Sequence, residues 1–165
     1  MANTSCSKRV ADSKVVTEII AFPSDANTRG VVYGGRLLHW VDMVASLVAR
    51  KHCEGPVATL RIEFDFLQPV QVGDHVRFVG LVTRVFHRSF EVQVDVYAGQ
   101  DFGTQESLAA RGFLVFSCLD EQGRPRAAPE LVPESEEERA RWEEAGRRRE
   151  LRESLSGAGN SPRQP

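Results

Sequence analysis

The feature that most constrains the fold is a glycine pair that leads into a long amphipathic helix. Residues 25–42 read DANTRGVVYGGRLLHWVD, a polar turn that passes through Gly34-Gly35 into a helical pattern with a carboxylate two turns in. The pattern predicts a helix from just after Gly35 to about His52, ended by Glu54-Gly55-Pro56. Apolar residues at helical spacing place one broad stripe toward a core. They are Leu37, Leu38, Val41, Val44, Ala45 and Val48.

Strand-like segments lie on both sides of this helix. One precedes it at residues 15–20, before Pro23, and four follow at residues 57–67, 75–86, 89–97 and 107–119. The short spacers between the last four predict an antiparallel meander, so the expected class is α+β, with the long helix on one side of one sheet. An open sheet leaves an edge strand exposed, and we expect a second copy to cover it.

The segment at residues 57–67 alternates between two expected faces. The apolar face is Ala58, Leu60, Ile62, Phe64 and Phe66, and the polar face is Thr59, Arg61, Glu63 and Asp65.

The two ends of the chain differ from its centre in composition. We expect a flexible N-terminus at residues 1–13, one domain at 14–132, a charged helix at 133–155 and a disordered tail at 156–165. Ser135 and Glu138 have the spacing of a capping box, and glutamates precede arginines by four residues in the order that stabilises a helix. This helix is predicted to be exposed and anchored mainly through Trp142.

Bulk properties exclude several classes of protein. The 165 residues carry a net charge of -2, so there is no basic excess to bind nucleic acid. No apolar run is long enough to span a membrane and the N-terminus lacks a signal-peptide core, which together predict a cytoplasmic protein. The three cysteines, Cys6, Cys53 and Cys118, have no metal-ligand spacing and are expected to be reduced thiols.

Three features of the central stretch are candidates for chemistry, and each also has a purely structural interpretation. Asp42 lies at the edge of the apolar stripe, where partial burial would make it a better base, or it is a solvated helix carboxylate. The Gly34-Gly35 backbone N–H groups could stabilise an oxyanion at the helix start, or the glycines only supply a turn with positive φ. The Asn27 amide offers a donor and an acceptor to a water or a carbonyl, or it binds its own backbone.

The order and spacing of these features resemble the hotdog-fold acyl-CoA thioesterases, particularly the cytosolic long-chain acyl-CoA hydrolases and their single-domain bacterial relatives. The resemblance covers residues 15–152. Its motifs are Asp25-Ala26-Asn27, Tyr33-Gly34-Gly35, Asp42, RKHC at 50–53, Asp65-Phe66-Leu67 with Pro69, Ser89 with Glu91-Val92-Gln93-Val94, and LVPESEEERARWEE at 131–144.

The resemblance implies a sheet wrapped around the long helix, paired edge to edge into a double hotdog, with three such pairs forming a hexamer. It implies that Asn27 and Asp42 are catalytic and come from different hotdog units. Where many relatives have His-Gly-Gly, this chain has Tyr33-Gly34-Gly35, and we expect Tyr33 to pack against the acyl chain.

The phosphates of coenzyme A require cations. Arg84, His87, Arg88 and Ser89, at one strand turn, either bind them or form only a solvated turn.

The sequence therefore predicts hydrolysis of a fatty acyl-CoA thioester. Asp42 acts as general base or nucleophile, Asn27 orients the water or the carbonyl, and the Gly35 N–H receives the oxyanion. No metal or other cofactor is implied. Two alternatives stand: a non-catalytic acyl-CoA-binding hotdog protein, and a hotdog dehydratase that would use a histidine, although His39 points away from the apolar stripe.

Overall fold

The structure is a computed structural model that describes residues 7–100 and 105–158, with side chains as far as residue 155. Its strands are β1 (Ser7–Arg9), β2 (Val15–Ile20), β3 (Val57–Phe66), β4 (His75–Phe86), β5 (Ser89–Gly99), β6 (Ser107–Leu119), β7 (Pro125–Arg126) and β8 (Glu130–Val132). Its helices are α1 (Val10–Ser13), α2 (Gly34–Cys53) and α3 (Glu136–Ala158), with a 3-10 turn at Pro23–Asp25.

One antiparallel sheet runs in the order β2-β4-β5-β6-β3, and β7 extends it beside β6. Strands β2 and β3 are its edges, while β1 and β8 pair separately in parallel. Helix α2 lies on one face, which we call the inner face, and α3 lies on the other, the outer face. The α+β class with a long helix against one antiparallel sheet is confirmed. The predicted meander of four strands is wrong for β3, which pairs with β6 and not with β4.

Helix α2 approaches the inner face closely because two strand positions lack side chains. A Cβ added at Gly80 of β4 would lie 2.8 Å from Val48, and one added at Gly112 of β6 would lie 3.1 Å from Val41. The predicted stripe is the buried one, since Val41, Val44 and Val48 are at most 4% exposed. Close packing of this kind is what allows one helix to fill the inner face of a sheet.

A bulge in β3 changes which residues lie on each face. Thr59 pairs with Phe116 and Arg61 with Val115, so Leu60 is the extra residue. Phe116 is a core residue, which places Thr59 on the inner face, while Leu60 and Arg61 line a cavity on the outer face. The prediction that Ala58 and Leu60 share a face with Ile62, and that Thr59 shares the face of Arg61, is therefore wrong. The alternation of apolar and polar residues in a sequence does not show where a β-bulge inserts an extra residue into a strand.

The segment expected to form a flexible N-terminus contains regular structure in its described part. Ser7–Arg9 pairs with Glu130–Val132, and the Ser13 side chain is fully buried. The Ser13 Oγ lies 3.0 Å from His52 Nδ1, and His52 Nε2 lies 3.0 Å from the carbonyl oxygen of Pro129. Residues 1–6 lie outside the described part of the chain.

Helix α3 is held on the outer face by more than its tryptophan. The Arg84 guanidinium stacks 3.5 Å from the Trp142 ring centroid and packs against Gly146, where any Cβ would collide with it. Ala145 is fully buried. The predicted capping box is present, since the Glu138 N–H donates to Ser135 Oγ and the Ser135 N–H donates to Glu138 Oε2. The helix continues to Ala158, into the segment expected to be disordered, and residues 159–165 lie outside the described part.

A buried ion network completes the attachment of α3. Glu91 of β5 is fully buried and accepts from Thr83 at 2.8 Å, from Arg148 at 2.7 Å and from Arg152 at 2.8 Å. Arg152 also donates to Glu63 of the edge strand at 2.7 Å. The prediction of a helix anchored mainly through Trp142 is therefore incomplete.

The cysteines depart from the expectation of reduced thiols. Cys53 at the end of α2 and Cys118 of β6 form a disulfide, with their Cα atoms 5.9 Å apart, and it joins the helix to the sheet. Cys6 lies outside the described residues. Within residues 7–100 and 105–158, no helix has both the length and the apolar character that crossing a membrane requires.

Candidate active site

Asp42 lies on α2 beside the apolar stripe and is half-buried. Its Oδ1 atom is buried and has no hydrogen-bond partner among the described residues. A buried carboxylate oxygen normally has a partner, because leaving one unsatisfied costs about 1–3 kcal/mol. The single chain therefore leaves the Asp42 carboxylate without a partner for one buried oxygen. A carboxylate that merely pointed into solvent would have water there.

The start of α2 carries the glycine pair. Gly34 is the first helical residue and Tyr33 the N-cap, so the helix begins two positions before the expected start, and neither glycine has a positive φ. A Cβ at Gly34 would lie 3.0 Å from the Phe66 ring, whereas a Cβ at Gly35 would meet nothing within 4 Å. The turn interpretation of the pair is thus wrong: Gly34 accommodates Phe66, and Gly35 leaves open space beside its backbone.

The N–H groups at this helix start lack a side-chain cap. Tyr33 provides no capping hydrogen bond, and its own side chain is 54% exposed. First-turn N–H groups have no acceptor within a helix and carry the positive end of its dipole. Together with the space beside Gly35, they form a site where a negatively charged oxygen can approach.

Asn27 is positioned by a tight loop before the helix. Its Oδ1 accepts from the backbone N–H groups of Arg29 at 2.9 Å and Val31 at 3.2 Å. The Nδ2 group has no hydrogen-bond partner in the described part of the chain. The structural interpretation of Asn27 therefore accounts for its acceptor, and only the donor is available to a ligand.

Backbone pairing fixes this loop against the helix start. Ala26 bridges to Val32, and the Tyr33 N–H donates to the Asp25 carbonyl at 3.0 Å. Arg36 in the first turn forms an ion pair with Asp25 at 2.9 Å. Asn27 and the uncapped helix start consequently form one rigid unit.

Gly35 and Asp42 lie along the same side of α2. They are seven residues apart, which is two turns or about 10 Å along the axis. The edge strand β3, whose Phe66 meets the helix start, exposes Ile62 and Phe66, at 40% and 58%. A strand edge that exposes this much apolar surface is typical of an interface.

The predicted phosphate-binding cluster lies at the other end of the sheet. The turn between β4 and β5 brings Ser89 opposite Ser117, which pairs with Ala58 near the start of β3. The helix start contacts Phe66 at the end of β3, about 30 Å away for a strand of this length. One chain therefore does not bring this cluster to Asn27 and Gly35.

Within the cluster, the side chains differ in what they contact. His87 and Arg88 are exposed in the turn, and His87 has a φ of 70°. Ser89 lines the outer-face cavity together with Arg149 and Arg152. Arg84 donates to the Trp142 carbonyl at 3.2 Å as well as stacking on the Trp142 ring, so it holds α3.

Sequence reasoning missed Thr59 as a candidate. It is exposed at the sheet edge and lies on the inner face, on the side of α2. The bulge at Leu60 causes this placement, and no signal in the sequence indicates it. No group of three or more potential metal ligands occurs among the described residues.

An antiparallel sheet packed on one long helix in this way is the architecture of a hotdog protein. The comparisons with known proteins agree. The profile of the Thioesterase superfamily matches residues 29–102. The uncharacterized acyl-CoA thioester hydrolase YkhA of Bacillus subtilis is 38% identical over 128 residues, which is 77% of this chain and 74% of that protein.

Solved structures give the same result. An acyl-CoA hydrolase from Staphylococcus aureus, in complex with butyryl coenzyme A and coenzyme A, superposes with a TM-score of 0.87 at 30% identity over 93% of this chain and 94% of that one. The same hydrolase has been solved with an aspartate, an asparagine or a threonine replaced by alanine. An apo-hexameric acyl-CoA thioesterase superposes with a TM-score of 0.88 at 32% identity, covering 92% and 97% of the two chains.

The chain belongs to the thioesterase superfamily, and its fold is the hotdog fold. The resemblance drawn from the motifs is confirmed.

Proposed function

We propose that the protein hydrolyses fatty acyl-CoA thioesters at an active site shared by two copies of the chain. The general activity, that of an acyl-CoA thioester hydrolase, follows from its family and its structural neighbours. Asp42 comes from one copy, and Asn27 and Gly35 come from the other. The observation that carries this proposal is the buried, partnerless Oδ1 of Asp42, beside an exposed apolar surface that a second copy would cover.

The mechanism draws on side-chain and backbone groups. Asp42 removes a proton from a water that attacks the thioester carbonyl, or attacks that carbonyl itself to form a mixed anhydride that water then hydrolyses. The Gly35 N–H donates to the developing oxyanion. Because the Asn27 acceptor is occupied, Asn27 acts through its Nδ2 donor on the carbonyl oxygen or the water. The coenzyme A thiolate leaves, and the mechanism requires no metal or other cofactor.

Strand β3 is the edge that we propose to pair in the dimer. It has ten residues against six for β2, and its Phe66 lies against the start of α2 at Gly34. A two-fold axis that joins a strand to its own copy makes the pair antiparallel. The start of one β3 then lies beside the end of the other.

This pairing brings separated groups to one end of the dimer. The turn with His87, Arg88 and Ser89 of one copy comes to the same end as Asn27 and Gly35 of the other. We propose that His87, Arg88 and Ser89 bind the phosphates of coenzyme A, while Arg84 supports the turn by holding α3. Tyr33 packs against the acyl chain, and Gly34 keeps the helix start close to β3.

Thr59 joins the proposed site by the same geometry. In an antiparallel pair it lies beside the end of the partner strand, near the partner's helix start. We propose that its hydroxyl is a third polar group at the reaction centre, matching in kind the aspartate, asparagine and threonine replaced in the Staphylococcus aureus hydrolase. A trimer of such dimers and a cytoplasmic location are part of the same proposal.

The test is release of free coenzyme A from a panel of acyl-CoA substrates, from acetyl to stearoyl. We expect turnover on the fatty acyl members, and Asp42→Asn should lower it by about 10² or more, because the substitution keeps the shape and removes the base. The exposed Glu121→Gln is the control and should behave as wild type. Full turnover in a folded Asp42→Asn variant would remove Asp42 from the mechanism and favour a binding protein.

A further inference from the structure

The C-terminal end of α3 exposes two leucines. Leu151 and Leu155 are 61% and 62% exposed, whereas every other exposed residue in the described part of this helix is polar or alanine. They are four residues apart and so form one patch on the helix. An exposed apolar pair on an otherwise charged helix suggests a contact that one chain does not supply.

The leucine patch faces the β3 edge. Leu151 and Leu155 follow Arg148 by three and seven residues, so all three share one flank of α3. Arg148 lies 3.8 Å from the ring centroid of Phe113 on β6, the strand next to β3. The opposite flank carries Arg149, whose guanidinium lies over Phe86 of β4, on the far side of β5.

The end of α3 also reaches the edge strand itself. Arg152 donates to Glu63 of β3 at 2.9 and 2.7 Å. The bulge turns Leu60 to this same outer face, where it is 59% exposed. Leu60 forms one wall of a cavity of about 430 Å³ whose opposite wall includes Arg149, Arg152 and Glu153 of α3. The end of α3 thus lies over the edge strand proposed to pair.

Two-fold symmetry brings these features together. An axis that pairs the ten-residue β3 with its copy along its full length crosses it near residues 61–62. Leu60 and the end of α3, held over Glu63, both lie close to that axis. The corresponding groups of the second copy then lie directly across it, on the same outer face.

We infer that the end of α3 is a second contact surface between two copies, in which Leu151 and Leu155 pack across the β3 edge against the same leucines and Leu60 of the other copy. This inference rests on the β3 pairing of the proposed function. It gives the charged C-terminal helix a role in assembly on the face opposite the active site.

The first experiment measures the concentration at which the full chain dissociates to monomer, by sedimentation velocity. Leu151→Glu with Leu155→Glu should raise this concentration about tenfold or more, because the variant places charges in a buried apolar contact. Ala140→Glu, on the exposed first half of α3, is the matched control and should leave it unchanged. A value for the leucine variant within twofold of wild type overturns the inference.

A second variant separates this inference from the proposed function. Ile62→Arg on β3 should dissociate the oligomer and abolish turnover if β3 pairs. Dissociation by Ile62→Arg but not by the leucine variant leaves the proposed function standing and overturns the inference. If Ile62→Arg leaves the oligomer intact, both the proposed β3 pairing and the inferred leucine contact are overturned.

Crosslinking keeps the inference testable if the leucine variant fails to fold. In a Cys6→Ser background, Leu151→Cys should be joined to its copy by a short bismaleimide, giving a covalent dimer under denaturing conditions. Ala140→Cys in the same background should remain monomeric. Equal crosslinking of the two, or none at Leu151→Cys, overturns the inference.

Discussion

The two long helices lie on opposite faces of one sheet and are held by different interactions. Helix α2 rests on the inner face through valines and alanines that fill the space above Gly80 and Gly112. Helix α3 rests on the outer face through guanidinium groups that stack on aromatic rings and pair with the buried Glu91 and the half-buried Glu63. Apolar packing has no preferred direction, whereas each ion pair is lost when a single carboxylate, far away in the sequence, is removed.

This difference separates positioning of the active site from attachment of the outer helix. The helix with Gly35 and Asp42 needs a fixed height above the sheet, which close apolar packing provides. The outer helix can be perturbed by removing one charge. Changes to the outer face should therefore alter stability and assembly, and changes along the exposed side of α2 should alter turnover.

The largest expected effect comes from Glu91→Ala on the outer face. The change removes the nearest carboxylate from Arg148 and one of the two carboxylates that pair with Arg152. We therefore expect the free energy of unfolding to fall by about 3–5 kcal/mol. Urea denaturation measures it. Glu153→Ala removes only an exposed i,i+4 partner of Arg149 and should cost less than about 0.5 kcal/mol. Equal losses for the two variants would contradict the network's role.

The second prediction uses pH to separate the two attachments. Burial lowers the pKa of His52, at the end of α2, from 6.5 to about 4. The unfolded chain therefore binds more protons than the folded one between these values. The stability from neutral His52 is complete above pH 6.5 and is lost as the pH falls toward 4, about 2 kcal/mol of it by pH 5.

The ion network that attaches α3, formed by Glu91, Glu63, Arg148 and Arg152, should not weaken over the same pH range. Hydrogen bonding to Arg152 lowers the pKa of Glu63, so that carboxylate stays ionised at pH 5. Unfolding free energies at pH 7 and pH 5 test this, with His52→Gln as the comparison. The variant should lose less stability over this interval than wild type, and an identical loss would exclude His52 as the cause.

The third prediction concerns Gly35→Ala. The added methyl group meets nothing in the single chain, so the free energy of unfolding should rise by about 1 kcal/mol through helix propensity. Turnover should fall about tenfold, because the methyl group occupies the space in which the oxyanion approaches. Arg50→Ala, exposed near the end of the same helix, is the control. Unchanged turnover in Gly35→Ala would remove the oxyanion role.

The comparison of the helices also shows what the sequence could predict. The stripe of α2, strands β4 and β6, and the capping box of α3 follow local patterns of spacing, and the structure has them where they were expected. The burial of Glu91 depends on arginines more than fifty residues away, which no local pattern records. Strand β1 depends in the same way on its pairing with β8.

In the candidate site, the sequence indicated candidate residues but not which of their polar groups already have partners. The spacing of Asn27, Gly35 and Asp42 indicated the family. Only the structure shows that Asn27 uses its acceptor on Arg29 and Val31, and that the bulge at Leu60 turns Thr59 inward.

The central claim is that one active site takes Asp42 from one copy and Asn27 from the other. It is tested by mixing two inactive variants, Asn27→Ala and Asp42→Asn, which are unfolded and then refolded separately and together in equal amounts. In a mixed dimer, one site carries both defects and the other is wild type.

Random mixing makes half of the dimers mixed, and each has one good site of two. Coenzyme A release by the co-refolded sample should therefore recover to about a quarter of the wild-type rate, while each variant refolded alone stays inactive. If Asn27 and Asp42 serve a site within one chain, every site keeps a defect. A co-refolded rate no higher than that of the separate variants would contradict the shared site.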